Sequence, residues 1–576
     1  MPRDRMRDPR LCFKYDACWS NNEEAKTIIK EAWQRGTRDT MEKIKMVGVE
    51  LGRWQYEKQK RMRKQIGSLQ ASINSLVNIQ GRNDEGNMLK DMRSKLGRFD
   101  LNLDYIDSYI SGEANERLLK DFTDNEIKKA FNQMDPRKAP GGGKDVDYLN
   151  DTIIVLIPKI KEPVDLTNFR PISLCRVVYK IIAKVLANRL TETLPLCISQ
   201  NQSAFVPGRI IHDNILVAHE MVHYLQSTKN GPNKGFVIKL DMSKAYDRVE
   251  WDFIEEVTNK IGYANEWVKK IMRCVRSVRY VVKCNSILSE TIVPERGLRQ
   301  GDPLSPYLFL FCMEAFSKLL TRAQNNNMIK GIRASINGPR INHLFFVDDA
   351  LFFIRNKKHD VEEFRNILTI FCRDSGQDIN KDKSMIMFSP KTPDDSRQTF
   401  ISMLGMRTVD KLDNYLGLPL HVGRKKSLAF TNIINRCICR VKGWSKLLLP
   451  YGGKEVFLKA IMQAIPTYAF LVFLAPKGII EELYWWNNKD KTRGWTMMAW
   501  DKMSYPKGMG GLGFRDLQLF NIALLGRQVW LFIICNDTLC YKVLARNTSR
   551  TGMSFTPRRL ITFPLLGKAS LRLLVS

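Results

Sequence analysis

The stretch HLFFVDDALFF, His343–Phe353, constrains the fold most. Two runs of large apolar residues flank a tight polar centre, the pattern of two strands joined in a β-hairpin. Asp348 and Asp349 stand side by side at its tip, where each carboxylate raises the cost of ionising the other. Asp is a common turn residue, so a solvated turn is one account. A bound divalent cation is the other.

A second stretch bears on the choice. In GFVIKLDMSKAYDRVEW the strand-like Phe236–Leu240 ends at Asp241, and the chain then turns helical. If this strand neighbours the hairpin, Asp241, Asp348 and Asp349 converge and repel unless cations neutralise them. Mg²⁺ suits such a site, because it is a hard cation with oxygen ligands that leaves positions free for substrate phosphate. Two ions about 3.5–4 Å apart would stabilise both the attacking 3′-oxygen and the departing pyrophosphate of nucleotidyl transfer. Otherwise Asp241 is a helix cap and the pair is a turn. Between these segments lies RGLRQGDPLSPYLFLF, Arg296–Phe311. Here Gly297 and Gly301 allow backbone to approach a ligand, Arg299 and Gln300 offer donors, and Pro303 and Pro306 rigidify the entry to an apolar helix.

Charge narrows the partner. Over 576 residues, 91 Lys and Arg face 60 Asp and Glu, a formal +31 that calls for a polyanion, nucleic acid before an anionic membrane surface. No apolar run approaches the roughly 18 residues of a membrane span, and the start MPRDRMRDPRLCF lacks the apolar core of a secretory signal. The 12 cysteines are scattered, and Cys437 and Cys439 form a C-x-C with no second pair at zinc-ribbon spacing. That fits reduced, buried thiols in an intracellular protein. Strand-like TIIVLIPKI alternates with helical YKIIAKVLANRLTETL and IHDNILVAHEMVHYL, and DFTDNEIKKAFNQM starts a helix at Thr123 or Asp124. HEMVH, His219–His223, matches the H-E-x-x-H zinc protease signature. Against a protease, no further histidine follows at a familiar third-ligand spacing, and the +31 is left unexplained.

Taken in order, seven blocks resemble the reverse transcriptase of LINE-type (non-LTR) retrotransposons, particularly those of plant genomes. They are IIVLIPKIKEPVDLTNFRPISLCRVVYKIIAKVLANRL, QNQSAFVPGRIIHDNILVAHE, IKLDMSKAYDRVEW, RGLRQGDPLSPYLFLFCMEAFSKLL, INHLFFVDDALFF, SGQDINKDKSMIMFS and YLGLPL. The resemblance implies an α+β right-hand polymerase, with the reverse transcriptase domain as a whole over 139–420. Shortened fingers are expected over 113–235 and the palm over 236–420. A thumb follows over 421–480. Residues 1–112 are expected to be a helical linker after a missing endonuclease domain. Residues 481–547 would precede a missing zinc-binding segment, and 548–576 resemble nothing recognised.

The resemblance also implies RNA-directed DNA polymerisation in target-primed reverse transcription. Its partners are an RNA template, a DNA primer or target and dNTPs, with no membrane. Its cofactor is a pair of Mg²⁺ ions, with Mn²⁺ as a substitute. Asp241, Asp348 and Asp349 match the metal-binding carboxylates. Tyr246 matches the aromatic gate that crowds a ribose 2′-hydroxyl, and Gln300 and Gly301 match the loop under the incoming nucleotide and template. Arg170 matches a triphosphate contact, with Lys159 as a second, and Lys383 matches the proton donor to pyrophosphate, with Lys381 as its substitute. The nucleus is the expected location, a cytoplasmic RNA–protein complex the alternative.

KAPGGGKDVDYLNDTIIVLIPK departs from the family by lacking the helices usual before the strand, and Val347 stands where plant elements usually carry a smaller residue. The competing expectation is therefore a non-catalytic nucleic-acid-binding remnant or pseudogene product. The zinc metalloprotease at HEMVH is the third reading.

Overall fold

The computed structural model describes Glu23–Arg35, a few positions between 46 and 57, 103–134, 150–420 with breaks near 228–233, 285–286 and 335–337, and most of 430–484 and 502–545. The basic run 58–65, the loop 135–144 and the aromatics Trp485, Trp486, Trp495 and Trp500 lie outside the described residues. The chain forms two compact units, 1–98 with 121–138, and 99–120 with 139–576.

In the first unit Trp54 shares a small core with Ala25 and Leu51, and its indole N–H donates to Glu24 at 3.2 Å. The helix Asp124–Asn132 begins where the sequence signals it. Thr123 and Glu126 each accept the other's backbone N–H, a reciprocal capping box.

The second unit is built on two sheets. Its strands are β1 (Asp151–Pro158), β2 (Phe169–Cys175), β3 (Phe236–Leu240), β4 (Arg279–Cys284), β5 (Ile287–Leu288), β6 (His343–Phe346), β7 (Asp349–Ile354), β8 (Met385–Phe388) and β9 (Arg407–Thr408). One sheet has the order β2-β1-β4-β5, the other β6-β7-β3-β8-β9. β4, from within the segment expected to be palm, thus pairs with β1, and β5 pairs with β4.

β3 lies at the centre of the larger sheet, antiparallel to both β7 and β8. Phe236, Val237, Ile238 and Leu240 are all buried because both sheet faces are covered. On one face Phe352 meets Phe316 and Phe364, and Phe316 stacks on Phe371, from the helices Ser305–Asn325 and Lys358–Ser375. On the other, Val237, Leu351, Phe353 and Met387 share a core with Ile215, Met221 and Leu225 of the helix Ile211–Gln226. Strands buried on both faces read as continuous apolar runs rather than alternation. Each such side chain contributes about 1.5–3 kcal/mol on burial, so this sandwich is what holds the hairpin in place.

Among the described residues no helix is long and apolar enough to cross a membrane. The thiol expectation holds in part: Cys175, Cys197, Cys312, Cys437 and Cys540 are buried, whereas Cys284, Cys439 and Cys535 are exposed.

Candidate active site

Strand register brings the aspartates together. Leu240 pairs with Ala350 across β3 and β7, and Phe346 pairs with Asp349 across the hairpin. Asp241, one residue beyond Leu240, therefore stands level with Asp349. Asp349 opens β7 rather than sitting at the tip, and Asp348 alone shares the turn with Val347. The electrostatics report the same proximity. Burial raises the Asp348 carboxyl above the usual carboxylate range, a backbone hydrogen bond offsets part of this, and the charge of Asp241 adds to it. Burial also raises Asp349, reinforced by Asp348 and Asp241 and opposed by Lys239. Asp348 keeps solvent contact, so the effect is partial loss of hydration rather than enclosure.

The backbone of Asp241 is fixed from both sides. Its N–H donates to Ser384 Oγ at 3.1 Å, and its carbonyl accepts from the Asn380 N–H at 2.9 Å. Lys239 donates to the Asn414 carbonyl at 2.6 Å, and among the described residues no Lys or Arg closes an ion pair on any of the three aspartates. Nor do three His, Cys, Asp or Glu side chains among the described residues close into a set that holds a metal ion by itself. Uncompensated like charges along one rim fit a cation that takes one or two carboxylates and completes its shell with water and substrate phosphate, as Mg²⁺ does. HEMVH fits a metal less well: His219 is buried and packs edge-on against Phe473 at 5.2 Å, whereas His223 is exposed.

The turn between β6 and β7 is strained. Val347 has φ +58° and Asp348 is not among the residues with positive φ, the pattern of a type II′ turn, whose first central position favours Gly. For a β-branched residue this is an outlier that costs about 1–3 kcal/mol. Neighbouring segments hold it. The Val347 N–H donates to Gln202 Oε1 at 3.2 Å, and the Phe345 N–H donates to the Asn201 carbonyl at 2.8 Å. Asn214 Nδ2 donates to the Phe345 carbonyl at 2.8 Å, and the Tyr415 hydroxyl donates to Asn214 Oδ1 at 2.9 Å. Sequence reading missed Gln202, Asn214 and Ser384. Their only signal was position inside the family blocks, since each acts through a partner more than a hundred residues away.

The Tyr246 ring stacks on Phe309 at 4.9 Å and 10°. Burial, then the charge of Asp348, pushes its hydroxyl above the ordinary tyrosine range, which puts Tyr246 beside the carboxylates. The Gly297–Gly301 loop is fastened to the same segment: Leu298 N–H donates to the Tyr246 carbonyl at 2.7 Å, and Gly297 N–H to the Val249 carbonyl at 2.8 Å. Gly297 has φ +90°, and a Cβ there would stand 2.7 Å from the Asp247 carbonyl oxygen, so only glycine fits. At its far end the Gln300 carbonyl accepts from the Ser173 N–H at 2.9 Å, which ties Gln300 and Gly301 to β2.

Arg299 corrects an expectation. It is buried rather than offered to a ligand, paired with Asp302 at 2.8 Å, bonded to Asn150 and Tyr179, and stacked over the Tyr179 ring at 4.0 Å.

The remaining candidates differ in placement. Lys159 is exposed just past β1. Burial raises Asp247, and Lys244 and Lys159 partly offset that, so Lys159 faces the segment carrying Tyr246. Arg170 is exposed on β2 opposite Ile157, and no hydrogen bond or ion pair joins it to the aspartates. Lys383 is exposed on the turn Asn380–Ser384 that fixes Asp241, its N–H donating to Asn380 Oδ1 at 3.2 Å. The Lys381 Nζ lies 3.6 Å from where a Cβ on Gly405 would stand, at the end of the helix Asp394–Leu404.

Comparison with known proteins covers this same region. The family described as reverse transcriptase (RNA-dependent DNA polymerase) matches residues 157–419, which include every candidate site residue. A 149 kDa protein of transposon TX1 from Xenopus laevis is 27% identical over 304 residues, 48% of this chain and 23% of that protein. The Pol polyprotein of the type-1 retrotransposable element R2 from Nasonia vitripennis is 29% identical over 208 residues, 36% of this chain and 19% of that protein. An uncharacterized mitochondrial protein of Arabidopsis thaliana is 62% identical over 59 residues, 10% of this chain and 48% of that protein. This chain therefore spans less than half the length of each. Reverse transcriptases use divalent metal ions, in keeping with the uncompensated carboxylates. Residues 157–419 thus match the reverse transcriptase family, and the relatives over this region include transposon and retrotransposable-element proteins, which supports a likeness to LINE-type, non-LTR retrotransposon reverse transcriptases.

Proposed function

We propose that this chain is an RNA-directed DNA polymerase that extends a DNA primer on an RNA template, in target-primed reverse transcription. The observation that carries the reading is the register that sets Asp241 level with Asp349 and beside Asp348. These carboxylates would hold two Mg²⁺, with Mn²⁺ as a substitute; when bound, the ions stabilise charge on the attacking and leaving oxygens.

The chain's own groups do the rest. Tyr246, backed by Phe309, crowds the ribose 2′ position of a dNTP. Gln300 and Gly301 lie under the nucleotide and template. Lys159 and Arg170 draw the triphosphate. Lys383 gives a proton to the departing pyrophosphate, with Lys381 as its substitute. We assign 236–420 to the palm, 113–235 to shortened fingers and 421–480 to the thumb, and action on chromosomal target DNA to the nucleus.

Primer extension on an RNA template with Mg²⁺ and dNTPs tests the reading: incorporation that disappears in Asp348→Ala supports it. Salt-sensitive RNA binding without incorporation would instead support a non-catalytic remnant. The formal +31 charge supports nucleic-acid binding in that second reading as well. Tyr246 makes a sharper prediction. Tyr246→Val should raise rNTP over dNTP incorporation, as a ratio of kcat/KM values, by about tenfold or more. An unchanged ratio removes Tyr246 from the gate.

A further inference from the structure

We infer that Gln202 is a positioning residue for Asp348, holding the strained Val347–Asp348 turn in its working shape. The clamp is read from geometry alone; its consequence for catalysis rests on the polymerase reading above.

Gln202 is 1% exposed, and its Oε1 accepts two backbone N–H groups, from Val347 at 3.2 Å and Ala204 at 3.0 Å. Two donors on one atom fix which end of the amide is oxygen, because the NH₂ end cannot accept. That orientation leaves Nε2 buried with no hydrogen-bond partner among the described residues. A buried unpaired N–H₂ is costly, so packing alone favours an apolar side chain here. The oxygen explains the glutamine.

Val347 is the residue that needs that oxygen. Its φ of +58° is one that valine leaves readily. Relaxation to negative φ would re-aim the next residue, Asp348, and disturb the pairing of Phe346 with Asp349. The clamp is itself anchored. Arg209 donates to the carbonyls of Ile198 at 2.5 Å and Gln202 at 2.6 Å, and to that of Ser199, so the Gln202 backbone has little room to follow a moving turn. A purely local role, closing the turn at Ala204, would give Gln202 no dependence on what occupies position 347.

That difference sets the test. In Gln202→Met, backbone amide exchange at Val347 is expected to quicken about tenfold or more, since its N–H loses its acceptor. Single-turnover incorporation should slow about tenfold while the half-saturating dNTP concentration stays within about twofold, because positioning acts on the chemical step. In a Val347→Gly background, where positive φ carries no strain, the same Gln202→Met change should cost about twofold or less. Unchanged exchange at Val347, or an equal loss in both backgrounds, overturns the clamp. If the wild-type chain incorporates nothing, the exchange measurement still decides the clamp, and only the polymerase reading has failed.

Discussion

Asp348→Asn is expected to act in opposite directions on activity and stability. Incorporation should fall by about 10³-fold or more, the scale on which a lost metal contact removes several kcal/mol of transition-state stabilisation. The metal-free variant should nonetheless melt above the wild type at neutral pH. Burial and mutual repulsion raise Asp348 and Asp349 above their ordinary range. A carboxyl with a raised folded value favours the folded state while protonated. That contribution is complete below the unfolded value of about 4 and is lost as the pH climbs through the raised value. At pH 7 the wild type therefore carries clustered charge that Asn reduces. Mg²⁺ should raise the wild-type melting temperature by binding the native state and do so less for the variant. A variant that melts below wild type at pH 7, or one that still incorporates, refutes this account.

The largest effect on stability is expected away from the carboxylates. Asp302→Ala strands the Arg299 guanidinium, which with Asp302 is 4% and 3% exposed, in a pocket also holding Tyr179, Asn150 and Thr152. Removing one member of such a pair costs about 3–5 kcal/mol, because the remaining charge is buried uncompensated. Arg299→Met combined with Asp302→Leu should cost much less than Asp302→Ala alone, since apolar replacement of both partners is often near neutral. Thermal melting of the two variants distinguishes these outcomes. Because Asp302 also accepts the Leu304 N–H at 2.9 Å at the entry to the helix Ser305–Asn325, Asp302→Ala should loosen the loop bearing Gln300 and Gly301 as well. Equal melting temperatures for both variants would mean the pair is solvated in practice.

Much of this was legible in the chain. Runs such as FVIKL and ALFFI announced strands, because a sheet covered on both faces needs apolar residues at nearly every position. Thr123 with Glu126 announced a helix start through local capping chemistry. What stayed hidden depends on partners distant in sequence. Arg299 looked like a free donor because Asp302, Tyr179 and Asn150 meet it only in the folded chain. Lys381 lies two residues before Lys383 in one turn, and that it comes close to Gly405 was not readable from spacing. The strain at Val347 was visible as an unusual residue, but its φ and its acceptor Gln202 were not.

The central place of β3 has a consequence for synthesis on the ribosome. β3 ends at Leu240, yet its neighbours β7 and β8 end at Ile354 and Phe388, the latter roughly 150 residues later. At about 5–20 residues per second, translation leaves this strand without its second partner for roughly 7–30 s. Through that interval a segment apolar on both faces has at least one unpaired edge, the condition that favours association between nascent chains. Yield of folded protein should therefore depend on elongation rate between codons 241 and 388, and on whether a chaperone covers Phe236–Leu240 until the sheet closes.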